Sequence, residues 1–405
     1  MLTIHNKSDC TGCAACVNTC PENCITLKFD EEGFAYPLID KKQCINCSAC
    51  DRVCPVNKKV LLTTDPVCFA GYIKDDSIRQ QSSSGGIFSA LALEILSRGG
   101  VVFGAAFDGV SKVKHFYIDN INDLGKLRTS KYIQSEIDSS YKDTKKFLQN
   151  NRLVLFTGTP CQIAGLKSFL GKEYENLYTQ DIICHGAPSQ LVWSKYVNNK
   201  QQQYKDKIGN INFRNKEFGW KDFSVKYESN NRCENTVHRD DLFFKAFLKN
   251  IILRPSCYYC KFKGENFFSD ITLGDFWGIE YVSPEMNDNQ GVSLIICRNN
   301  KGKKLLTDIS DSIIIKDVEY ENSVRCNTAA TKSVPKPGSR DLFFKYIKHH
   351  KINSSLKLFC SENEKEIAKV QLMEDYKAVK SEKGVLFALI WRIKTILCSF
   401  LIRSK

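Results

Sequence analysis

Cys10-Thr-Gly-Cys13-Ala-Ala-Cys16-Val-Asn-Thr-Cys20-Pro21 and, 34 residues further on, Cys44-Ile-Asn-Cys47-Ser-Ala-Cys50-Asp-Arg-Val-Cys54-Pro55 spell one pattern twice, C-x-x-C-x-x-C-x-x-x-C-P. Three thiolates this closely spaced can grip three irons of one cubane. The fourth cysteine, turned away ahead of its proline, completes the cubane held by the other run. The expected ligand sets therefore cross over. Cys10, Cys13, Cys16 and Cys54 hold one 4Fe-4S cluster, and Cys44, Cys47, Cys50 and Cys20 hold the second. Zinc knuckles use paired C-x-x-C motifs across a spacer of about a dozen residues or more, without the third cysteine or the Cys-Pro ending. Cys24 lies outside both runs, with Lys58 at the equivalent place of the second, and reads as a structural or unligated thiol.

Outward from this repeat, the chain has 405 residues, room for a large core and two or three domains. No apolar leader precedes Cys10, so a cytoplasmic protein is expected. Nineteen cysteines in a reducing compartment point to metal or redox duty rather than disulfides. The net charge of +13 comes without a nucleic-acid motif or a dense basic stripe, so no nucleic-acid partner is expected. A basic face suits an acidic ferredoxin, a flavodoxin or another redox protein.

Beyond a turn-rich stretch ending at Pro66, strands and helices alternate as in an α/β core with functional loops at strand ends. Cys68–Ile73 reads as a strand, Ser82-Ser-Ser-Gly-Gly-Ile87 leads into a helix from Phe88 to Arg98, and Val101–Phe107 is a second strand. Leu153–Phe156 is a buried strand, followed by the turn Thr157–Cys161, a helix ending at Gly171, and a strand from Leu177 to Cys184. The loops Ser82–Gly86 and Thr157–Thr159 could expose backbone N–H groups to a phosphate, or could be ordinary capped helix starts. Neither matches G-x-G-x-x-G or a P-loop, so a nicotinamide site is not indicated. Ile208 to Tyr227 alternates like a β-ribbon, and Asp270–Gly278 reads as a strand running into a turn that carries Asp275 and Trp277. Cys161, Cys184 and Cys257-Tyr-Tyr-Cys260 suit either a third 4Fe-4S cluster or buried thiols, and spacing leaves both open. Radical-SAM chemistry is not indicated, because no C-x-x-x-C-x-x-C run occurs.

Ser83–Leu91, Ser130-Lys-Tyr132, Gly158-Thr-Pro-Cys-Gln162, Cys184-His-Gly186, Cys257-x-x-Cys260 and Asp270–Asp275 follow one another in this order. In them, and in the matching region from Cys10 to about Cys326, the chain resembles the coenzyme F-420 hydrogenase/dehydrogenase beta-subunit family, in the form with a fused two-cluster ferredoxin domain. The resemblance implies an FAD-binding domain beside an iron–sulfur cluster. It makes Cys161, Cys184, Cys257 and Cys260 ligands of a third 4Fe-4S cluster, and places Ser84, Gly85, Gly86, Ser130, Lys131, Thr159 and Asp275 around the flavin. His185 reads as a satisfied loop histidine.

The fold expected is α+β or α/β. A bacterial-ferredoxin-like domain takes residues 1–60, a mixed α/β flavin and iron–sulfur domain residues 67–332, and a basic helical tail residues 339–405. Residues 340–405 hold fourteen Lys/Arg and seven Asp/Glu, a net of +7. Residues 384–405 form an amphipathic stretch, suited to peripheral contact with the inner face of a membrane or to docking on protein, an oligomer partner included. The resemblance implies an iron–sulfur flavoprotein oxidoreductase that exchanges electrons between clusters and FAD, with hydride transfer to or from a deazaflavin or another small-molecule substrate. Similar bacterial proteins occur among polysaccharide-synthesis functions. The alternative is an electron-transfer subunit that relays electrons to a partner enzyme.

Overall fold

A computed structural model describes residues 6–58, 65–264, 267–361, 363–383 and 388. In the first segment, two short helices, Ala15–Thr19 and Ala49–Arg52, each carry the third cysteine of their repeat. Between them, β1 (Ile25–Phe29) and β2 (Ala35–Ile39) pair antiparallel, Ile25 opposite Ile39. The hairpin tip is fixed by Asp30, whose Oδ1 accepts from the N–H groups of Glu32 and Phe34 at 3.0 Å each, and by Gly33 at φ 80°.

An eight-stranded mixed sheet follows, built from β3 (Val67–Ile73), β4 (Val101–Asp108), β5 (Lys112–Ile118), β6 (Val154–Gly158), β7 (Leu177–Ile182), and three later strands. A separate antiparallel sheet of β8 (Ile208–Asn215), β9 (Ser224–Ser229) and β10 (Cys233–Val237) comes between. β11 (Ile271–Asp275), β12 (Ser293–Cys297) and β13 (Ile313–Val318) then complete the large sheet in the order β13-β3-β12-β11-β7-β6-β4-β5. Its middle strands β4, β6, β7 and β11 are parallel, so their C-terminal ends share one edge. That edge is where open α/β sheets place ligands.

Each strand of the parallel core is bounded by the turn chemistry its sequence supplies. Helix Pro160–Leu170 starts with proline in its first turn, is held by a Thr159–Gln162 capping box, and stops at Gly171 at φ 69°. One face of the sheet buries Ile87, Leu91 and Ile95 of helix Ile87–Ser97 with Leu305 and Leu306 of helix Asn300–Asp308. The opposite face buries Tyr141, Ile163 and Leu166, and against them pack Cys13, Ala14, Ala15 and Val53 of the N-terminal domain. Cys13 comes this close because helix residue Gly165 has no side chain: a Cβ there would lie 2.8 Å from Tyr141 Oη and 3.2 Å from Cys13 Sγ.

The β1–β2 hairpin docks on a third, aromatic core formed by the β8–β10 sheet and helices Gln190–Tyr204, Leu242–Leu248, Arg340–Tyr346 and Ile352–Cys360. Phe34 is buried there, 6.0 Å from the Phe344 ring. Gln190 N–H donates to Gly33 O at 3.2 Å, and the Arg340 guanidinium grips Glu32 at 2.6 Å while also donating to Leu253 O. Truncating a fully buried ring of this core such as Phe243 would cost about 3–5 kcal/mol. The tail continues into helix Glu364–Lys383. The amphipathic stretch expected at 384–405 lies outside the described residues apart from Ala388, and among the described residues no helix is long and apolar enough to cross a membrane.

Candidate functional site

The two cysteine repeats lie beside one another. Cys20 lines one small cavity together with Cys44, Cys47 and Cys50. Cys16 lies within electrostatic reach of Cys10 and Cys54, and Cys54 within reach of Cys10. Burial, then mutual repulsion, pushes the Cys16 thiol up to about 12. Such thiols ionise only against compensating positive charge, which suits a metal centre. Cys24 shares the cavity of the second quartet, its Sγ 3.4 Å from that of Cys20.

The two quartets are not equivalent. Cys47 is exposed and its neighbour Ile45 is 60% exposed, whereas Cys13 is buried. Burial raises the Cys13 thiol, and next come the charges of Cys16, Cys161 and Cys10. The Cys10 quartet thus faces inward, onto helix Pro160–Leu170.

Cys161 in the first turn of that helix, Cys184 just past β7, and Cys257 and Cys260 at the turn Pro255–Tyr259 all line one cavity of about 690 Å³. Cys184 lies within electrostatic reach of the other three. Burial pushes the Cys161 thiol up to about 11, and Thr159 Oγ1 lies 3.2 Å from its sulfur. Ala187 N–H donates to Cys257 Sγ at 3.3 Å. The Lys263 ammonium, donating to Cys184 O and Ala329 O at 2.7 Å each, adds positive charge beside this group. Four half-buried cysteines with nearby N–H and cationic neighbours fit an iron–sulfur centre.

Ser84, Gly86, Ser130, Lys131, Thr159 and Asp275 line the same cavity; Gly85 does not. A Cβ on Gly85 would lie 2.4 Å from Gly71 O, so its place is the close contact of this loop with β3 and with Ser293, whose Oγ accepts from Gly85 N–H. The loops are tied down from within. Ser83 Oγ accepts from Ser130 N–H at 2.8 Å, and Ser84 Oγ donates to Val292 O at 2.8 Å. The Thr159 N–H donates to Gln162 Oε1 at 2.9 Å, so that loop takes the ordinary capped form.

Lys131 is the cationic group the resemblance puts here, and burial lowers its ammonium to about 7. An anion seated beside it would restore the charge. Asp275 lines the cavity and also holds a structural ion pair. Arg214 grips both of its oxygens at 2.7 and 2.8 Å, and Trp220 Nε1 donates to Oδ1 at 2.7 Å. The carboxylate holds a buried guanidinium that also donates to Ser83 O at 2.9 Å, and so braces the Ser82–Gly86 loop.

Sequence reasoning missed Arg214, His115, Arg254 and Asp181. His115 is held between Ser135 Oγ and Thr157 O at 2.9 Å each, and burial lowers it to about 4. Asp181, at the end of β7, is raised by burial to about 6, and among the described residues its Oδ1 has no hydrogen-bond partner. The only local signal for any of them is Arg254, placed just before Pro255 and Cys257. His185 Nε2 donates to Asn250 Oδ1 at 2.7 Å and the ring packs on Phe247, as a satisfied loop histidine does.

Two cysteine repeats at the head of a mixed α/β chain point to an iron–sulfur electron-transfer protein, and residues 9–58 match the 4Fe-4S dicluster domain. Residues 151–322 match the family described as the C terminus of the coenzyme F420 hydrogenase/dehydrogenase beta subunit. Among solved structures, a chain of the F420-reducing NiFe hydrogenase complex from Methanosarcina barkeri is similar at 19% identity and a TM-score of 0.44, over 73% of this chain and 91% of that one. No curated protein matches.

Proposed function

We propose that the protein is an iron–sulfur flavoprotein oxidoreductase with three 4Fe-4S centres in series and FAD in the large cavity. The outer centre is held by Cys20, Cys44, Cys47 and Cys50, the inner one by Cys10, Cys13, Cys16 and Cys54, and the third by Cys161, Cys184, Cys257 and Cys260. The observation that carries this reading is the order of the quartets: Cys13 neighbours Cys161, and Cys161 with its three companions lines the cavity that also holds Ser84, Ser130 and Lys131. A volume of about 690 Å³ lies within the range of cofactor pockets.

When bound, FAD would convert between the single electrons of the clusters and the electron pairs of a deazaflavin or another small molecule. The chain's own residues would do the rest. Ser84, Gly86, Ser130 and Thr159 shape the pocket, Lys131 meets an anionic group of the ligand, and the buried aromatic walls exclude water. An acidic ferredoxin or flavodoxin would dock at the exposed Ile45 and Cys47, beside the outer centre.

A relay to a partner enzyme is the second reading, favoured by Tyr259, which is 65% exposed between two of the third centre's cysteines. Flavin analysis of anaerobically purified protein tests the first reading. About one FAD per chain, lost or weakened in Lys131→Met, is expected. Protein with its iron intact that carries no flavin and binds none on addition of FAD would overturn it in favour of the relay.

A further inference from the structure

Arg254 is fully buried, yet among the described residues no carboxylate pairs with it. Of the four other buried arginines three each grip one, Arg79 with Asp288, Arg214 with Asp275 and Arg340 with Glu32, and only Arg298 shares this lack among the described residues. A buried, uncompensated cation is costly, so a counter-charge is called for. Among the groups around Arg254 is Cys10, a ligand of the proposed inner centre. Arg254 Nε donates to Cys10 O at 2.8 Å, and Nη2 lies 3.8 Å from Cys10 Sγ. Nη2 also donates to Ala35 O at 2.7 Å, Nη1 to Gln134 Oε1 at 3.3 Å, and the guanidinium sits 4.4 Å over the Tyr36 ring. Arg254 O accepts from Cys257 N–H at 2.9 Å, and Arg254 N–H donates to the O of Ala187, whose own N–H meets Cys257 Sγ, so one turn carries both the guanidinium and a ligand of the third centre.

We propose that Arg254 is the shared counter-charge of the inner and third centres, making both easier to reduce than the outer one and so drawing electrons inward. This rests on the three-centre reading. Each 4Fe-4S centre gains one negative charge on reduction, and a fixed cation with an N–H near its sulfur stabilises the reduced form. Arg254 is a positioning residue here: it transfers nothing, but it sets the slope of the path.

The test is an anaerobic redox titration followed by electron paramagnetic resonance on the full chain, with iron counted in the same samples. The outer centre is recognised as the signal altered by Cys47→Ser. In Arg254→Gln the inner and third centres should become at least tenfold harder to reduce, about 59 mV for one electron, with the outer centre unmoved. Arg254→Lys keeps the charge and should show a smaller shift of the same two signals; it serves alone if Arg254→Gln does not assemble. Potentials that stay put in either variant, or move equally at all three centres, overturn the proposal. Eight irons in the wild-type protein would instead remove the third centre, a separate failure.

Discussion

Replacing Gly33 with alanine should loosen the N-terminal domain from the rest of the chain. Gly33 sits at φ 80°, where an L-side chain costs about 1–2 kcal/mol. The new Cβ would also lie 2.4 Å from Leu191 Cβ and 2.5 Å from the Leu191 backbone nitrogen. A helix backbone cannot yield as a side-chain tip does, so overpacking adds about 1–3 kcal/mol. Together the loss is roughly 2–5 kcal/mol, and it falls on the hairpin that carries Phe34 and Glu32 into the aromatic core. Gly99→Ala is the control, because Gly99 has a similar φ of 72° and nothing within 4 Å of an added Cβ. Denaturant unfolding followed by tryptophan fluorescence, which sees the buried Trp193 of that core, and by iron–sulfur absorbance measures both variants. A Gly33→Ala loss no larger than that of Gly99→Ala would refute the tight seating of the hairpin on Leu191.

Asp275→Asn removes the charge that holds Arg214 and should destabilise the protein by about 3 kcal/mol in the same unfolding assay, with the Ser82–Gly86 loop more open to hydrogen exchange. Lys131 has its ammonium lowered to about 7 in the free pocket, and a bound anion would raise it again. FAD affinity of flavin-free protein should therefore fall as pH rises above about 7, and Lys131→Met should flatten that profile. His115 is lowered to about 4, so between its unfolded value of about 6.5 and pH 4 the unfolded chain binds the extra proton. Stability should decline as pH falls through that window, by up to about 3 kcal/mol, and His115→Gln should remove that component of the slope.

What was legible in the sequence was whatever is written locally. The cysteine repeats announce an iron–sulfur dicluster domain because their spacing is a ligand geometry, and the strand at Leu153–Phe156 shows itself as an apolar run followed by a capped turn. Helix Pro160–Leu170 begins and ends where Pro160 and Gly171 require. Contacts between distant segments leave no such trace. Arg214 finds Asp275 across 61 positions, Glu32 finds Arg340 across 308, and nothing in either neighbourhood announces the pairing. Gly85 looks like a ligand-facing glycine from its place in a loop of small residues, yet its missing side chain serves the approach to Gly71. Asp275 has the sequence setting of a polar loop residue free to meet a ligand, but a buried guanidinium claims both of its oxygens.

The account stands most directly on the third quartet. Iron and acid-labile sulfide, measured per chain in anaerobically purified protein and in Cys161→Ser/Cys257→Ser, decide it. About twelve irons in the wild-type protein and about eight in the double variant are predicted, since each cubane holds four. Eight irons in both would leave the N-terminal pair without an onward path and would contradict the series of centres proposed for this chain.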